Sequence, residues 1–98
     1  MNPKEGEQAS LFQSGQILAT PGALQAFQEA NQTPAEFLAR HLKGDWGDLD
    51  DEGKQENQFS LAKGFRLLSA YRPTTGTKIW VITEADRSAT TILLPDEY

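Results

Sequence analysis

The apolar period of this chain changes once, at Gly64. Before it, apolar residues recur at helical spacing; after it, they alternate with period two. Such a chain folds as helices followed by strands, and the halves need each other. A short antiparallel sheet has a face to bury, and the helical half is the available cover. The expected fold class is therefore α+β, with two or three N-terminal helices packed on a C-terminal three-stranded antiparallel meander.

Thr20-Pro21 opens the first helix, a hydroxyl cap followed by Pro at a position whose missing N–H is harmless. Ala23, Leu24, Ala26, Phe27 and Ala30 form its apolar stripe, and Asn31 stops it. Thr33-Pro34-Ala35-Glu36 reads as a capping box opening the second helix, Pro34–Lys43, with Phe37, Leu38, His41 and Leu42 on one face. A helical hairpin results. A third helix is expected from about Asp50 to Lys63, capped by Asp48 or Asp50, with Leu49, Phe59, Leu61 and Ala62 as its sizeable apolar residues. Ile17-Leu18-Ala19 reads either as a fourth short strand or as the lead into the first helix.

Beyond Gly64, Phe65, Leu67, Ser69 and Tyr71 share one face of a strand running to Arg72. Lys78–Thr83 and Ala89–Leu94 are the second and third strands, separated by turns at Pro73–Gly76 and Glu84–Ser88. Trp80 is expected in the core. At 98 residues there is room for one core, so residues 11–98 are read as one domain and residues 1–10 as a frayed polar tail.

Composition removes many functions. There is no cysteine, which excludes disulfides, cysteine-ligated metals and thiol nucleophiles, and fits a cytoplasmic setting. No apolar stretch approaches the roughly 20 residues of a membrane span. Phosphate-binding glycine loops, dinucleotide fingerprints, Gly-x-Ser-x-Gly and His-Glu-x-x-His are absent, and neither cofactor nor metal is expected. Net charge is −5, unevenly spread: Asp45–Glu56 carries six acids and one base, whereas Lys63–Arg87 carries five bases and two acids. Asp48-Leu49-Asp50-Asp51-Glu52-Gly53 resembles the start of an EF-hand loop, but Phe59 stands where that loop needs a carboxylate. The acids suit a helix N-terminus instead.

Two readings attach to each remaining candidate. His41, the single histidine, is either a hydrogen-bonded histidine at the core edge or a general acid–base group. Trp46 either plugs the core or forms a recognition platform. Thr83–Thr91 gathers Glu84, Asp86, Arg87 and four hydroxyls, either as turn chemistry or as a site. A binding surface is expected among Trp46, Arg66, Arg72, Glu84, Asp86, Arg87 and Thr90, where the second hairpin meets the helices. Arg87 is expected to be exposed, so that its removal costs little stability.

His41-Leu42-Lys43-Gly44-Asp45-Trp46-Gly47, Leu68-Ser69-Ala70-Tyr71 and the run from Lys78 to Pro95 together resemble a family of short uncharacterised proteins of bacterial plasmids and integrated mobile elements, often labelled automatically as a type I restriction-modification subunit. The resemblance covers roughly His41 to Tyr98 and implies no established activity. The large nucleotide-binding domain of a methyltransferase has no counterpart here. The order of elements is also similar to metal-independent ribonucleases of the barnase and RelE type. That analogy makes Glu84 the base, Arg66 and Arg87 phosphate clamps and His41 the acid. The expectation is a small cytoplasmic mobile-element accessory protein that binds a macromolecular partner without catalysis. The partner is expected to be a protein, with nucleic acid reachable through the basic sheet segment. A ribonuclease is the alternative.

Overall fold

The computed structural model describes residues 10–98; the tail expected over residues 1–10 lies, Ser10 apart, outside the described residues. In chain order the elements are β1 (Gln16–Ala19), α1 (Pro21–Ala30), α2 (Pro34–Leu42), α3 (Asp51–Lys63), β2 (Leu67–Tyr71), β3 (Ile79–Thr83) and β4 (Ala89–Leu93). A closing 3-10 turn spans Pro95–Glu97.

The last three strands make the expected antiparallel meander, with Val81 opposite Ser69 on one side and Ile92 on the other. The sheet as a whole departs from expectation. β1 precedes the helices and pairs in parallel with β4, Ile17 opposite Thr90, so the sheet is mixed and four-stranded in the order β1-β4-β3-β2. Gly15 permits this pairing. It adopts a φ of 64°, and a Cβ there would collide with the Ser88 backbone. The close approach lets the Gln16 N–H donate to the Ser88 carbonyl at 2.9 Å and start the ladder. The first meander strand is shorter than its alternation suggests, because the Phe65 N–H still donates to Ser60 at the end of α3.

Thr20 caps α1 as expected, accepting the Ala23 N–H at 3.1 Å, and Asn31 ends the helix at a φ of 56°. Thr20 also donates its hydroxyl to Glu97, which accepts the Leu94 N–H as well and so ties the closing turn to the β1–α1 junction. The capping box at Thr33 does not form. Glu36 is instead engaged by the Gln32 side chain at 3.2 Å, and Thr33 makes no side-chain cap bond. Asp50 caps α3, accepting the Gly53 N–H at 2.7 Å.

One sheet face meets α1 and α2. Phe27 lies 5.4 Å from Phe37, and Phe37 5.4 Å from Tyr71, over buried Ile79, Val81 and Ile92. Each such fully buried side chain contributes roughly 1.5–3 kcal/mol. Trp80 does not join this core. It alternates with Ile79 and Val81, so it faces away from the helices, half-buried against Tyr98 at 6.0 Å.

α3 docks differently from expectation. Phe59 is mostly exposed, stacked on the equally exposed Phe65 at 5.8 Å, and the one buried residue of α3 is Asn57. Its side-chain amide donates to the Leu68 carbonyl at 2.6 Å and accepts the Leu68 N–H at 3.2 Å, standing in for a neighbouring strand. Asn57→Ala leaves both Leu68 groups without these partners. The variant should lose about 1–3 kcal/mol of stability. Hydrogen exchange of the Leu68 amide should accelerate more than that of its β3-facing neighbours; equal acceleration across β2 would contradict local docking by Asn57.

Candidate functional site

A chain of buried polar groups runs beneath one end of the sheet. Ser69, Thr83 and Thr90 occupy inward positions on β2, β3 and β4, and His41 reaches them from the last turn of α2. His41 Nδ1 lies 2.5 Å from Ser69 Oγ, and Nε2 lies 2.9 Å from Thr83 Oγ1. Thr83 Oγ1 is 2.7 Å from Thr90 Oγ1, and Thr90 donates to the Ser14 carbonyl at 2.8 Å. The carbonyl end sets every direction. Thr90 donates to Ser14, so it accepts from Thr83; Thr83 therefore accepts from His41 Nε2–H. These bonds place a proton on Nε2. Burial keeps the imidazole neutral, so Nδ1 accepts the Ser69 hydroxyl.

His41 is fully enclosed, with Phe12 edge-on at 5.2 Å and Trp46 edge-on at 5.8 Å. Burial, reinforced by the nearby Arg87 charge, pushes its pKa down to about 4. Such a group neither reaches a substrate nor exchanges protons with one. Thr90, expected on a binding surface, is equally buried as a link in the chain.

Arg87 is not the free arginine of the turn. It is half-buried and adopts a φ of 61°. Nη1 donates to the carbonyls of Phe65 at 2.7 Å, Glu84 at 3.1 Å and Ala85 at 3.2 Å, while Nη2 donates to Ser60 at 3.3 Å. It clasps the β3–β4 turn to the end of α3, so its removal costs more than an exposed ion pair would. Its guanidinium also lies 5.7 Å over the Phe12 ring.

The remaining candidates scatter. Glu84 and Asp86 are exposed on the β3–β4 turn, and Asp86 accepts the Ser88 N–H at 3.0 Å. Arg66 lies 5.4 Å over the Tyr98 ring on the sheet face away from α1 and α2. Arg72 pairs with Asp48 at 3.6 Å, both exposed. Trp46 is 3% exposed and stacks on Phe12 at 6.3 Å, which places it in the interior. Arg66, Glu84, Arg87 and His41 do converge on one end of the sheet, since Leu67 pairs with Thr83. Burial of the imidazole and engagement of Arg87 keep them from facing a common space. Among the described residues, no three His, Asp or Glu side chains gather closely enough to hold a metal ion.

The two sheet edges differ sharply. On β2, Leu68 and Ala70 turn their backbone groups outward, and all four are occupied. Asn57 takes both groups of Leu68, the Ala70 N–H donates to Trp46 at 3.2 Å, and the Ala70 carbonyl accepts from Asp48 at 2.7 Å. Gly47 makes this possible, since any Cβ there would collide with the Ala70 carbonyl oxygen. On β1, Gln16 and Thr20 donate toward β4, so Ile17 and Ala19 turn their N–H and carbonyl groups outward. Nothing among the described residues pairs with them. Ile17 is 49% and Leu18 43% exposed, on opposite faces of a strand with neither charge nor proline. A short strand near Ile17 was legible in the sequence; its position at an open edge was not.

Comparison of the chain with known protein families, with curated proteins and with solved structures found no match.

The neutral imidazole makes stability depend on pH in a defined window. The unfolded histidine titrates near 6.5 and the folded one near 4, so below 6.5 the unfolded state takes up a proton that the folded state refuses. Stability is full above pH 6.5 and falls by about 3 kcal/mol as pH drops towards 4. Urea unfolding across that range should show the slope, and His41→Gln should abolish it. In Arg87→Ala the imidazole resonances should titrate at higher pH than in the parent protein, because one of the two depressing influences is gone.

Proposed function

We propose that this is a small cytoplasmic accessory protein that acts by binding another protein, taking up an extended segment of it as an added strand along β1. One observation carries the reading: among the described residues, the edge at β2 is fully closed, while the edge at β1 is open, apolar and unguarded. Exposed sheet edges are ordinarily blunted by charge, proline or cover, because an unpaired row of N–H and carbonyl groups templates strand addition. Here, among the described residues, cover is applied at β2 and not at β1. An incoming strand would pair with the outward groups of Ile17 and Ala19, and its side chains would meet Ile17 on one face and Leu18 on the other. The exposed Leu24 on α1 extends the apolar surface beside the β1–α1 junction. Among the described residues, no helix is long and apolar enough to cross a membrane.

Cleavage forms no part of this reading. The ribonuclease assignment needs His41 and Arg87 at a phosphate, and both are engaged inside the fold.

A library of displayed extended peptides supplies the test. Selected binders should perturb the amide resonances of Ile17, Leu18 and Ala19. Ile17→Pro deletes an outward N–H without removing a β1–β4 bond, and Leu18→Lys places a charge on the edge. Each should weaken peptide binding by about tenfold or more while leaving thermal stability nearly unchanged. Selected peptides that bind both variants as tightly as the parent protein would overturn the reading.

A further inference from the structure

The open groups of β1 have a symmetry. Among the described residues, the N–H and carbonyl of Ile17 and of Ala19 point outward and pair with nothing. In an antiparallel pair, facing residues alternate between exchanging both backbone bonds and exchanging neither. Ile17 and Ala19 stand one residue either side of Leu18. A second β1 laid antiparallel, with Leu18 facing Leu18, sets Ile17 against Ala19 twice and answers every outward group of both strands. No neighbouring register does so. A shift of one residue sets outward groups against inward ones. A shift of two sets Ala19 against Gly15, whose φ of 64° lies off the strand, or Ile17 against Pro21, which has no N–H.

The side chains fit the same register. Ile17 and Ala19 pair with Thr90 and Ile92, so they lie on the sheet face that the helices cover, and Leu18 lies on the other. Across the axis, bulky Ile17 therefore meets small Ala19 at each end. Leu18 meets Leu18 at a position without backbone bonds, where facing side chains stand closest. Pairing covers Ile17 and Leu18, exposed at 49% and 43%. Charge is the remaining requirement, because a two-fold contact brings identical groups together near its axis. From Ser10 to Gln28 there is no Asp, Glu, Lys or Arg, although the chain carries −5 overall. The six acids of Asp45–Glu56 belong to the α2–α3 loop and α3, which dock on β2. That edge stands three strand spacings, about 14 Å, from β1. Charges there are screened over roughly 8 Å at physiological salt. Glu97 is held beside Thr20, which faces Gln16 of the other copy, so the two Glu97 side chains stand at opposite ends of the pair.

We infer that β1 pairs antiparallel with β1 of a second copy of this chain, about a two-fold axis at Leu18, joining two four-stranded sheets into one of eight strands. The inference rests on the strand-addition reading and gives that site its regulation. Self-pairing occupies the edge when no other extended segment is present, and a partner's strand must displace it. Two facing pairs of Ile17 with Ala19 give two backbone bonds each. Such a contact is small, so the dimer is weak and exchanges, as a site that also takes up a partner requires.

Sedimentation velocity of the full chain at increasing concentration reads the dimer. The sedimenting mass should rise from one chain towards two between about 5 µM and about 1 mM, with a Kd of about 100 µM. Leu18→Lys and Leu18→Glu alter an exposed side chain, and each puts two like charges face to face at the axis. Either variant alone should dimerise about tenfold more weakly than the parent protein. An equimolar mixture of the two should associate at least about fivefold more tightly than either alone, because the mixed dimer faces opposite charges. That recovery also shows both variants to be folded. A chain that stays monomeric at about 1 mM overturns the inference. A dimer that ignores charge at Leu18, or a mixture that recovers nothing, does the same. So does a monomer whose Ile17 and Ala19 amides resist hydrogen exchange, since its edge is then filled from within its own chain. Displayed peptides report on strand capture separately. A monomer that still takes them up at Ile17–Ala19 sinks the dimer alone. A dimer with charge recovery that takes up no peptide sinks capture of another protein alone.

Discussion

His41 donates to Thr83, Thr83 to Thr90 and Thr90 to the Ser14 carbonyl, and each direction is forced by the next. With Ser69 at the other ring nitrogen, this single imidazole joins α2, the three meander strands and the segment that leads into β1. Burial opposes a second ring proton. An imidazolium would reverse the bond to Ser69 and put a charge in a space closed by Phe12 and Trp46. Buried polar networks of this kind stabilise when every member is satisfied and are costly when one is not. The position of α2 over the sheet, and the arrival of β1 beside β4, both follow from meeting that requirement.

The same economy of polar groups governs how α3 is held. The helix offers the sheet no apolar stripe, and one amide, Asn57, substitutes for a neighbouring strand at Leu68. The loop residues Trp46 and Asp48 complete the job at Ala70. The β2 edge is thereby closed by groups that come from outside the sheet. Arg87 finishes the join at the far end of α3, binding carbonyls that the helix end and the β3–β4 turn leave available.

Much of the fold was legible in the sequence wherever a local signal was sufficient. The Thr20-Pro21 start, the Asn31 and Gly64 stops, the Asp50 cap and the alternating strands are short-range chemistry, and they appear in the structure within a residue or two of their expected places. The capping box at Thr33 failed because a nearer partner, Gln32, engaged Glu36. Trp80 failed as a core residue because alternation assigns a residue to a face but does not say which face the helices will cover. Inward hydroxyls at Ser69 and Thr83, opposite a lone histidine on an apolar helix face, were the available hint of a buried network.

The sequence by itself determined the helices, the strands and the turns between them, because caps, prolines and side-chain periods act over a few residues. Tertiary structure alone decided the order of the strands, the closed and open edges, the neutrality of His41 and the burial of Trp46. Those depend on contacts between residues distant in the chain, such as His41 with Ser69, 28 positions on, and Ser14 with Thr90, 76 positions on. No local pattern encodes such contacts. They are set by which buried polar groups can all be satisfied at once.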